Sequence, residues 1–283
     1  MRIARPVAAL IAMTLGPATA CAREAALWEA GIGIVGLYFP HYRGSEQSRA
    51  YALPAPYFVY RGDFFKADRH GIRGVFMQTD WMSLNLSVGA SLPVSSSDNR
   101  AREGMPDLKP SVELGPSAAL TLWRSGERRA KLDLRLPLRG AITVQSHSRF
   151  IGAQFFPHLN LDIHEPAGLA GWNLGVLAGP VYTDRRYNRY FYEVPAAYAT
   201  ASRGAYSPGG GYAGAQLLVA LSKRYPKFWV GGFVRADTLR GAAFEASPLV
   251  TSKSYLAAGF GVSWILGESS RQVPVLESSD ERK

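Results

Sequence analysis

Residues 131–145 read K-L-D-L-R-L-P-L-R-G-A-I-T-V-Q, and they carry the clearest structural pattern in the chain. Leucine, isoleucine or valine stands at most even positions, while charged or polar residues occupy most odd positions. A period of two is typical of a β-strand with one apolar and one polar face. A strand needs only about 9–11 residues to cross a bilayer, whereas strands of soluble proteins are usually about 5–6 residues long. Long alternating strands with charges on the polar face indicate a transmembrane β-barrel.

Eleven further stretches alternate in the same way or are rich in strand-forming residues, so the sequence predicts about twelve strands. The predicted strands span residues 31–42, 51–61, 63–68, 72–79, 81–92, 111–123, 131–145, 155–164, 172–183, 212–223, 228–239 and 255–266. Short turns alternate with longer polar loops along the chain, as they do between the periplasmic and external ends of outer-membrane barrels. We therefore predict an all-β, antiparallel, up-and-down barrel with both termini in the periplasm.

The first 22 residues have the pattern of a secretory signal peptide. Arg2 and Arg5 form the charged region, residues 7–15 form the apolar region, and small residues around Cys21 offer cleavage sites. Removal of this segment leaves a predicted barrel at 23–266 and a polar periplasmic tail at 267–283. Because Cys21 is the only cysteine, a disulfide framework and a cysteine metal site are excluded. Lipidation of Cys21 stays open as an alternative to simple cleavage.

The chain is basic, with 32 lysines and arginines against 22 acidic residues and a net charge of +10. The cations are scattered rather than clustered, which disfavours nucleic-acid binding. In an outer membrane the expected anions are lipid phosphates. Arg185, Arg186 and Arg189 stand among tyrosines in the longest loop, and we predict that they contact lipopolysaccharide. A merely solvated loop is the alternative.

The polar faces of the predicted strands define a set of charged residues that would face the lumen. They are Glu113, Lys131, Asp133, Arg135, Arg139, Asp162, Arg235 and Asp237. Paired with one another, these residues would rigidify a plugged structural barrel, and unpaired they would line a small pore. About twelve strands lies between eight, where side chains fill the interior, and sixteen, where a water channel remains. The strand number therefore leaves both interpretations open.

Two polar groupings contain residue types that carry chemistry, but neither predicts a site. His158, Asp162 and His164 are zinc-type ligands, yet residues four apart on a strand are separated by about 13 Å. His147 and Ser148 are similar to the pairs of lipid A deacylases and phospholipases of the outer membrane, but neighbouring strand residues point to opposite faces. We predict a protein without catalytic activity, cofactor or metal. A lipid-modifying enzyme is the disfavoured alternative.

The last third of the chain carries a set of recognisable motifs. They read Y-N-R-Y-F-Y-E-V at 187–194, S-R-G-A-Y at 202–206, G-G-Y-A-G at 210–214, L-R-G-A-A-F at 239–244, S-P-L-V at 247–250 and G-F-G-V-S-W-I-L at 259–266. With G-I-G-I and P-H-Y-R-G-S near the start of the predicted barrel, they resemble the MipA/OmpV family of outer-membrane proteins. The chain differs from the usual pattern in continuing beyond the terminal aromatic strand, as 267–283.

The resemblance implies a barrel without an established catalytic site. Some members of the family are described as scaffolds that join a lytic transglycosylase to a peptidoglycan synthase, and others as porin-like or adhesive surface proteins. We therefore predict an outer-membrane scaffold, with a small pore or a surface adhesin as alternatives. The expected partners are outer-membrane lipids, lipopolysaccharide and the two peptidoglycan enzymes.

Overall fold

The computed structural model describes residues 24–61, 65–68, 71–126 and 129–274. The predicted signal peptide, Cys21 and the last nine residues lie outside these ranges. Within them the chain is almost entirely strand. The strands are β1 (Glu24–Ala26), β2 (Trp28–Pro40), β3 (Ser48–Arg61), β4 (Phe65–Asp68), β5 (Gly71–Gln78), β6 (Met82–Ser91), β7 (Ser111–Arg124), β8 (Ala130–Thr143), β9 (Phe150–Phe155), β10 (His158–His164), β11 (Trp172–Thr183), β12 (Gly211–Arg224), β13 (Phe228–Thr238), β14 (Ser254–Glu268) and β15 (Gln272–Pro274).

Helical structure is confined to the connections. An α-helix, α1, spans Arg185–Tyr192 in the long segment between β11 and β12. Short 3₁₀ turns occur at Ser96–Asp98, Arg100–Arg102, Pro166–Gly168 and Ala196–Tyr198. In the described ranges, no helix has the length and apolar content needed to cross a membrane.

The strand pairings close into a ring. β2 pairs with β14 on one side and with β3 on the other, and each later strand pairs antiparallel with the next. β9 and β10 act as one interrupted strand, because both pair with β8 and both pair with β11. With β9 and β10 counted once, the described residues form a ring of twelve antiparallel strands. The predicted up-and-down architecture of about twelve strands is confirmed.

The strand predicted at 155–164 is wrong in its boundaries. The structure has β9 before it and β10 within it, with Phe156 and Pro157 between the two. The register of β8 against β9 shifts beside Ile151, and Gly152 has a φ of 127°. An extra residue at a β-bulge breaks the period of two, so the sequence pattern does not reveal β9. The other eleven predicted strands match observed strands to within three residues at each end.

The outward face of the ring is apolar along the whole circumference that the structure describes. Leu256 and Phe260 are each 62% exposed and Leu266 is 73% exposed. The other exposed large apolar side chains, among them Ile32, Ile34, Leu114, Leu138, Leu159, Leu217 and Val234, also point outward. A soluble monomer rarely exposes an apolar surface of this extent, so the band is a lipid-facing surface.

Tryptophans edge this band at the end of the ring where both termini lie. Trp28, Trp81, Trp123 and Trp264 are between 37% and 60% exposed, and each stands near the strand end on that side. Indole rings favour the boundary between hydrocarbon and water, where their N–H group can meet polar partners. The four residues therefore mark one membrane interface.

The ladder between the first and last barrel strands continues beyond the ring. β1 pairs with β15 through Glu24–Pro274, Ala25–Val273 and Ala26–Gln272. The Leu27 N–H donates to the Arg271 carbonyl oxygen at 2.9 Å, which links this ribbon to the β2–β14 ladder. The predicted tail from 267 onward therefore includes the end of β14 and all of β15.

The ring is most thinly paired around β4 and β5, where neighbouring strands share two to four residue pairs in the described residues. In the described residues, β3 pairs with β4 through Tyr60 and Arg61 alone, whereas it pairs with β2 over thirteen consecutive positions. Pro54 and Pro56 lie on β3 two residues apart, so their missing N–H groups belong to the same strand edge. Since the β2 ladder is unbroken, that edge is the one facing β4. Proline is normally confined to such open edges.

The faces of β12 provide a matched test of the lipid-facing surface. Leu217 points outward near the middle of the strand, and its neighbour Gln216 points inward beside Asp237. We expect Leu217→Arg to lower the free energy of unfolding in lipid vesicles by about 2–4 kcal/mol, because the cation enters hydrocarbon. Gln216→Arg, which puts the same side chain in the lumen, should cost less than about 1 kcal/mol. Equal costs in urea titrations of the two variants would contradict the assignment of faces.

Candidate functional site

The first group of lumen charges lies on β8 and β10. Asp133 is 2% exposed, and its carboxylate is 2.9 Å from Lys131 Nζ and 3.7 Å from Arg135 Nη2. Arg135 Nη2 also lies 3.5 Å from Asp162 Oδ2, which accepts a hydrogen bond from Asn160 at 2.7 Å. Two carboxylates and two cations from adjacent strands thus neutralise one another inside the barrel.

The second group connects the barrel wall to helix α1. Glu113 Oε2 is 3.5 Å from Arg139 Nη1, and Arg139 Nε donates to Ser87 Oγ at 2.9 Å. The Tyr187 hydroxyl on α1 donates to the other carboxylate oxygen of Glu113 at 2.9 Å. Burial, and then the neighbouring Glu113, raise the pKa of Tyr187 well above its ordinary value. The hydroxyl therefore stays protonated as a donor, and α1 is tied to β7.

The third group surrounds Asp237, which is 4% exposed. Arg235 Nε lies 2.7 Å from Asp237 Oδ2, and Arg43 Nη2 lies 3.4 Å from Asp237 Oδ1. Arg43 Nε also donates to the Tyr255 hydroxyl at 3.1 Å. All eight charged residues that the sequence assigned to the lumen thus take part in ion pairs. Arg43 was not among them, because it stands in a loop and no strand pattern marks it.

Helix α1 plugs the end of the ring opposite the termini. The Asp184 carboxylate caps it by accepting from the Tyr187 N–H at 2.7 Å. Asn188 is fully buried, and its side chain bonds the Gly209 carbonyl oxygen at 2.7 Å and Thr183 Oγ1 at 2.6 Å. The ring of Tyr192 stacks on Phe244 with 3.7 Å between centroids. The helix is therefore fixed to the surrounding loops and strands by hydrogen bonds and by packing.

Helix α1 and the long loops packed around it, called the plug here, also form the main hydrophobic core among the described residues. Its buried apolar side chains come from α1, from the long loops and from the upper strand ends. They include Tyr42, Val94, Met105, Leu108, Ile151, Val181, Phe191, Tyr192, Val194, Leu239, Phe244 and Leu249. A packed apolar cluster at this position obstructs the mouth of the barrel.

A groove of about 570 Å³ lies between α1 and the loops that follow β6 and β8. Arg185, Arg186 and Arg189, which the sequence predicted as lipopolysaccharide contacts, all line it, together with Arg149. Arg189 is paired with Glu193 one helical turn later, with 2.8 Å between Nη2 and Oε1. The other three arginines are exposed.

The residues of the remaining polar groupings make local contacts in the described ranges. His158 Nδ1 faces the Phe156 carbonyl oxygen at 2.8 Å, and its ring stacks on Phe156. Ser146 Oγ lies 3.4 Å from His147 Nδ1 in an exposed loop, and Ser148 Oγ bonds the Gln145 carbonyl oxygen instead. No group of three or more histidine, cysteine, aspartate or glutamate residues is arranged to hold a metal there.

A closed antiparallel ring with an apolar outer band, a charged interior and long loops at one end defines an outer-membrane β-barrel protein. The sequence profile of the family described as MltA-interacting protein MipA matches residues 32–266, and the chain belongs to this family. The resemblance seen in the sequence motifs is confirmed.

Comparisons with individual proteins agree with this assignment. The chain is 24% identical over 213 residues to the outer membrane protein OmpV of Vibrio cholerae serotype O1, a match that covers 73% of this chain and 76% of the relative. The predicted location in the outer membrane is confirmed by the family and by this relative.

Among solved structures, a bacterial polysaccharide outer membrane secretin aligns with a TM-score of 0.40 and 9% identity, over 84% of this chain and 99% of the other. A porin aligns with a TM-score of 0.31 and 11% identity, over 83% and 98%.

The ion pairs around Asp237 provide a test of how much the lumen charges stabilise the barrel. We expect Asp237→Asn to lower the free energy of unfolding by about 3–5 kcal/mol, because two guanidinium groups lose their counter-charge in the interior. Glu46→Gln is the control, since it removes the Arg100 pair on an exposed loop and should cost less than about 1 kcal/mol. Similar costs in urea titrations would show that the lumen is as well hydrated as the surface.

Proposed function

We propose that the protein is a non-enzymatic scaffold that anchors peptidoglycan-remodelling enzymes to the outer membrane. The observation that carries this proposal is the closed interior, in which the lumen charges are paired and the mouth is plugged. A barrel of this kind is built as a rigid membrane body rather than as a wide passage. The name of its family, MltA-interacting protein, points to a lytic transglycosylase as the first partner. A peptidoglycan synthase is the second partner.

We place the plug at the external end and the β1–β15 ribbon in the periplasm. The longest connections, which precede β7, β12 and β14, lie at the plug end, and most of the short turns lie at the end of the termini, as in other outer-membrane barrels. The ribbon projects from that end and presents two short strand edges. Addition of a strand to an exposed edge is a common mode of peptide recognition. A periplasmic enzyme can therefore dock on this ribbon.

Truncation after Ser270 tests the ribbon as a docking element. The truncated chain keeps the whole of β14, so we expect it to fold as a heat-modifiable barrel. We expect the full-length protein in detergent to retain a purified lytic transglycosylase of the MltA type on an affinity column. The truncated protein should lose most of this binding. Failure of the full-length protein to bind would refute the scaffold, whereas equal binding by both proteins would place the docking surface elsewhere.

The alternative function is a small pore, and a conductance measurement separates it from the scaffold. We expect the wild-type protein to show no steady conductance in planar bilayers, because α1 and the paired charges obstruct the lumen. Glu113→Gln weakens the bond between α1 and β7 and should produce more frequent openings. Glu193→Gln alters the outward side of the same segment and should have no effect. Steady wild-type conductance would favour the pore.

A further inference from the structure

The groove beside α1 carries an excess of positive charge. Five arginines line it, against two carboxylates. The arginines are Arg102, Arg149, Arg185, Arg186 and Arg189, and the carboxylates belong to Asp107 and Glu193. Both carboxylates already have cationic partners, since Glu193 pairs with Arg189 at 2.8 Å and Asp107 with Lys109 at 3.5 Å. The groove is therefore suited to an anion.

Of the five arginines, Arg189 alone has an acidic partner among the described residues. Among the described residues, no carboxylate lies within 4.0 Å of a guanidinium nitrogen of Arg149, Arg185 or Arg186. Arg185 Nη2 makes a long contact of 3.4 Å with Ser207 Oγ. In contrast, every charged residue that the sequence assigned to the lumen is paired. The groove therefore brings three unpaired guanidinium groups together at one place.

A fourth arginine lies buried at the groove wall. Arg102 is 3% exposed, and it donates from Nη1 to the Phe191 carbonyl oxygen and from Nη2 to the Pro106 carbonyl oxygen, each at 3.0 Å. Its Nε has no hydrogen-bond acceptor. A buried donor without a partner is costly. An anionic oxygen in the groove would lower that cost.

The position of the groove relative to the lipid-facing band restricts the kind of anion. The guanidinium of Arg186 lies 5.2 Å from the centre of the Phe150 ring. Phe150 is 42% exposed and points outward with Ile142 and Val144, which are 47% and 54% exposed. The cations therefore stand directly above apolar side chains that face the acyl chains of the external leaflet. This arrangement suits a molecule with a phosphorylated head and hydrocarbon tails.

We propose that the groove binds the phosphorylated head group of a glycolipid in the external leaflet, of the lipid A type. Arg149, Arg185 and Arg186 contact the phosphates, and Phe150 with the band below it adjoins the acyl chains. Bonds between arginine and phosphate oxygens are charge-assisted and frequently bidentate, which favours this pairing. Arg189 contributes little, because Glu193 neutralises it. The site thus differs from the arginine cluster visible in the sequence by the exchange of Arg189 for Arg149.

Binding of fluorescent bisphosphoryl lipid A to the full-length protein in detergent micelles tests this proposal. The variant Arg149→Gln/Arg185→Gln/Arg186→Gln should bind at least tenfold more weakly than the wild type. The matched control Arg49→Gln/Arg100→Gln/Arg240→Gln removes the same charge from other positions near the external end and should change the affinity by less than twofold. Heat-modifiable migration on gels shows that each variant is folded. Raising the salt concentration should weaken wild-type binding, because exposed charges are screened.

Other probes separate the sources of binding. Lipid A without phosphates should lose most of the affinity, and equal binding of this lipid would overturn the proposal by showing that the apolar band alone is responsible. Phosphatidylglycerol should compete poorly, and tight binding of this lipid would overturn the specificity for a glycolipid. A soluble sulfated oligosaccharide that binds more tightly than lipid A would overturn the proposal in favour of a surface receptor for anionic glycans.

The inference shares with the proposed function only the orientation of the barrel. The groove lies at the external end and the ribbon lies at the periplasmic end. The triple variant should therefore keep its binding to the lytic transglycosylase, and truncation after Ser270 should keep binding to lipid A. Absence of lipid A binding by the wild type, with normal transglycosylase binding, would overturn this inference alone. The reverse result would overturn the scaffold alone.

Discussion

The structure depends on the mutual neutralisation of charges inside the ring. Removing a carboxylate or guanidinium from water is expensive, and only close opposite charges and hydrogen bonds compensate for it. Asp133, Glu113 and Asp237 each have such partners. The partners of Asp133 lie on its own strand, whereas Glu113 and Asp237 also have partners from other parts of the chain. Arg43 comes from the loop between β2 and β3, and Tyr187 comes from α1. The bonds that compensate for burial of the lumen charges therefore also hold the loops over the mouth of the barrel.

The distribution of apolar residues follows from the two solvents that the protein meets. The strands turn their leucines and isoleucines toward hydrocarbon, so these side chains cannot also form a core. A conventional core appears where the chain leaves the bilayer, around Tyr192, Phe244 and Leu249. The barrel is held by its backbone ladders and lumen ion pairs, whereas the plug is held by apolar packing. The two parts of one chain thus rely on different physical forces.

The period of two in the sequence predicted most of the barrel strands, because one face of each strand contacts lipid and the other contacts polar groups in the lumen. The strand at Trp172–Thr183 was predicted with its observed boundaries. β9 was missed because the bulge at Ile151 and Gly152 breaks the alternation. The role of α1 was missed for another reason. Its sequence R-R-Y-N-R-Y-F-Y is too short and too polar to predict a helix. Contacts of Asn188 with Thr183 and Gly209, which are not visible in the sequence, hold the helix in place.

The charged side of each strand could also be predicted, but the partners of those charges could not. Arg235 lies two residues from Asp237, whereas Arg43 is separated from it by most of the chain and meets it only after the ring has closed. The groove was visible in the sequence only through the arginines of one loop. Arg149 and Phe150, from the β8–β9 connection and the start of β9, line the same groove. No local sequence pattern predicts that they lie beside the arginines of α1.

The thin seam between β3 and β4 has a mechanical consequence. The first and last barrel strands, β2 and β14, share a long ladder, so the place where the chain ends meet is strongly cross-linked. The edge of β3 that carries Pro54 and Pro56 joins β4 through two residue pairs, and the next two seams have four and three. This part of the wall therefore has the fewest backbone bonds to oppose sideways tension. Under load, we expect the cylinder to open within this part of the wall and to become a curved sheet whose first and last strands are still paired.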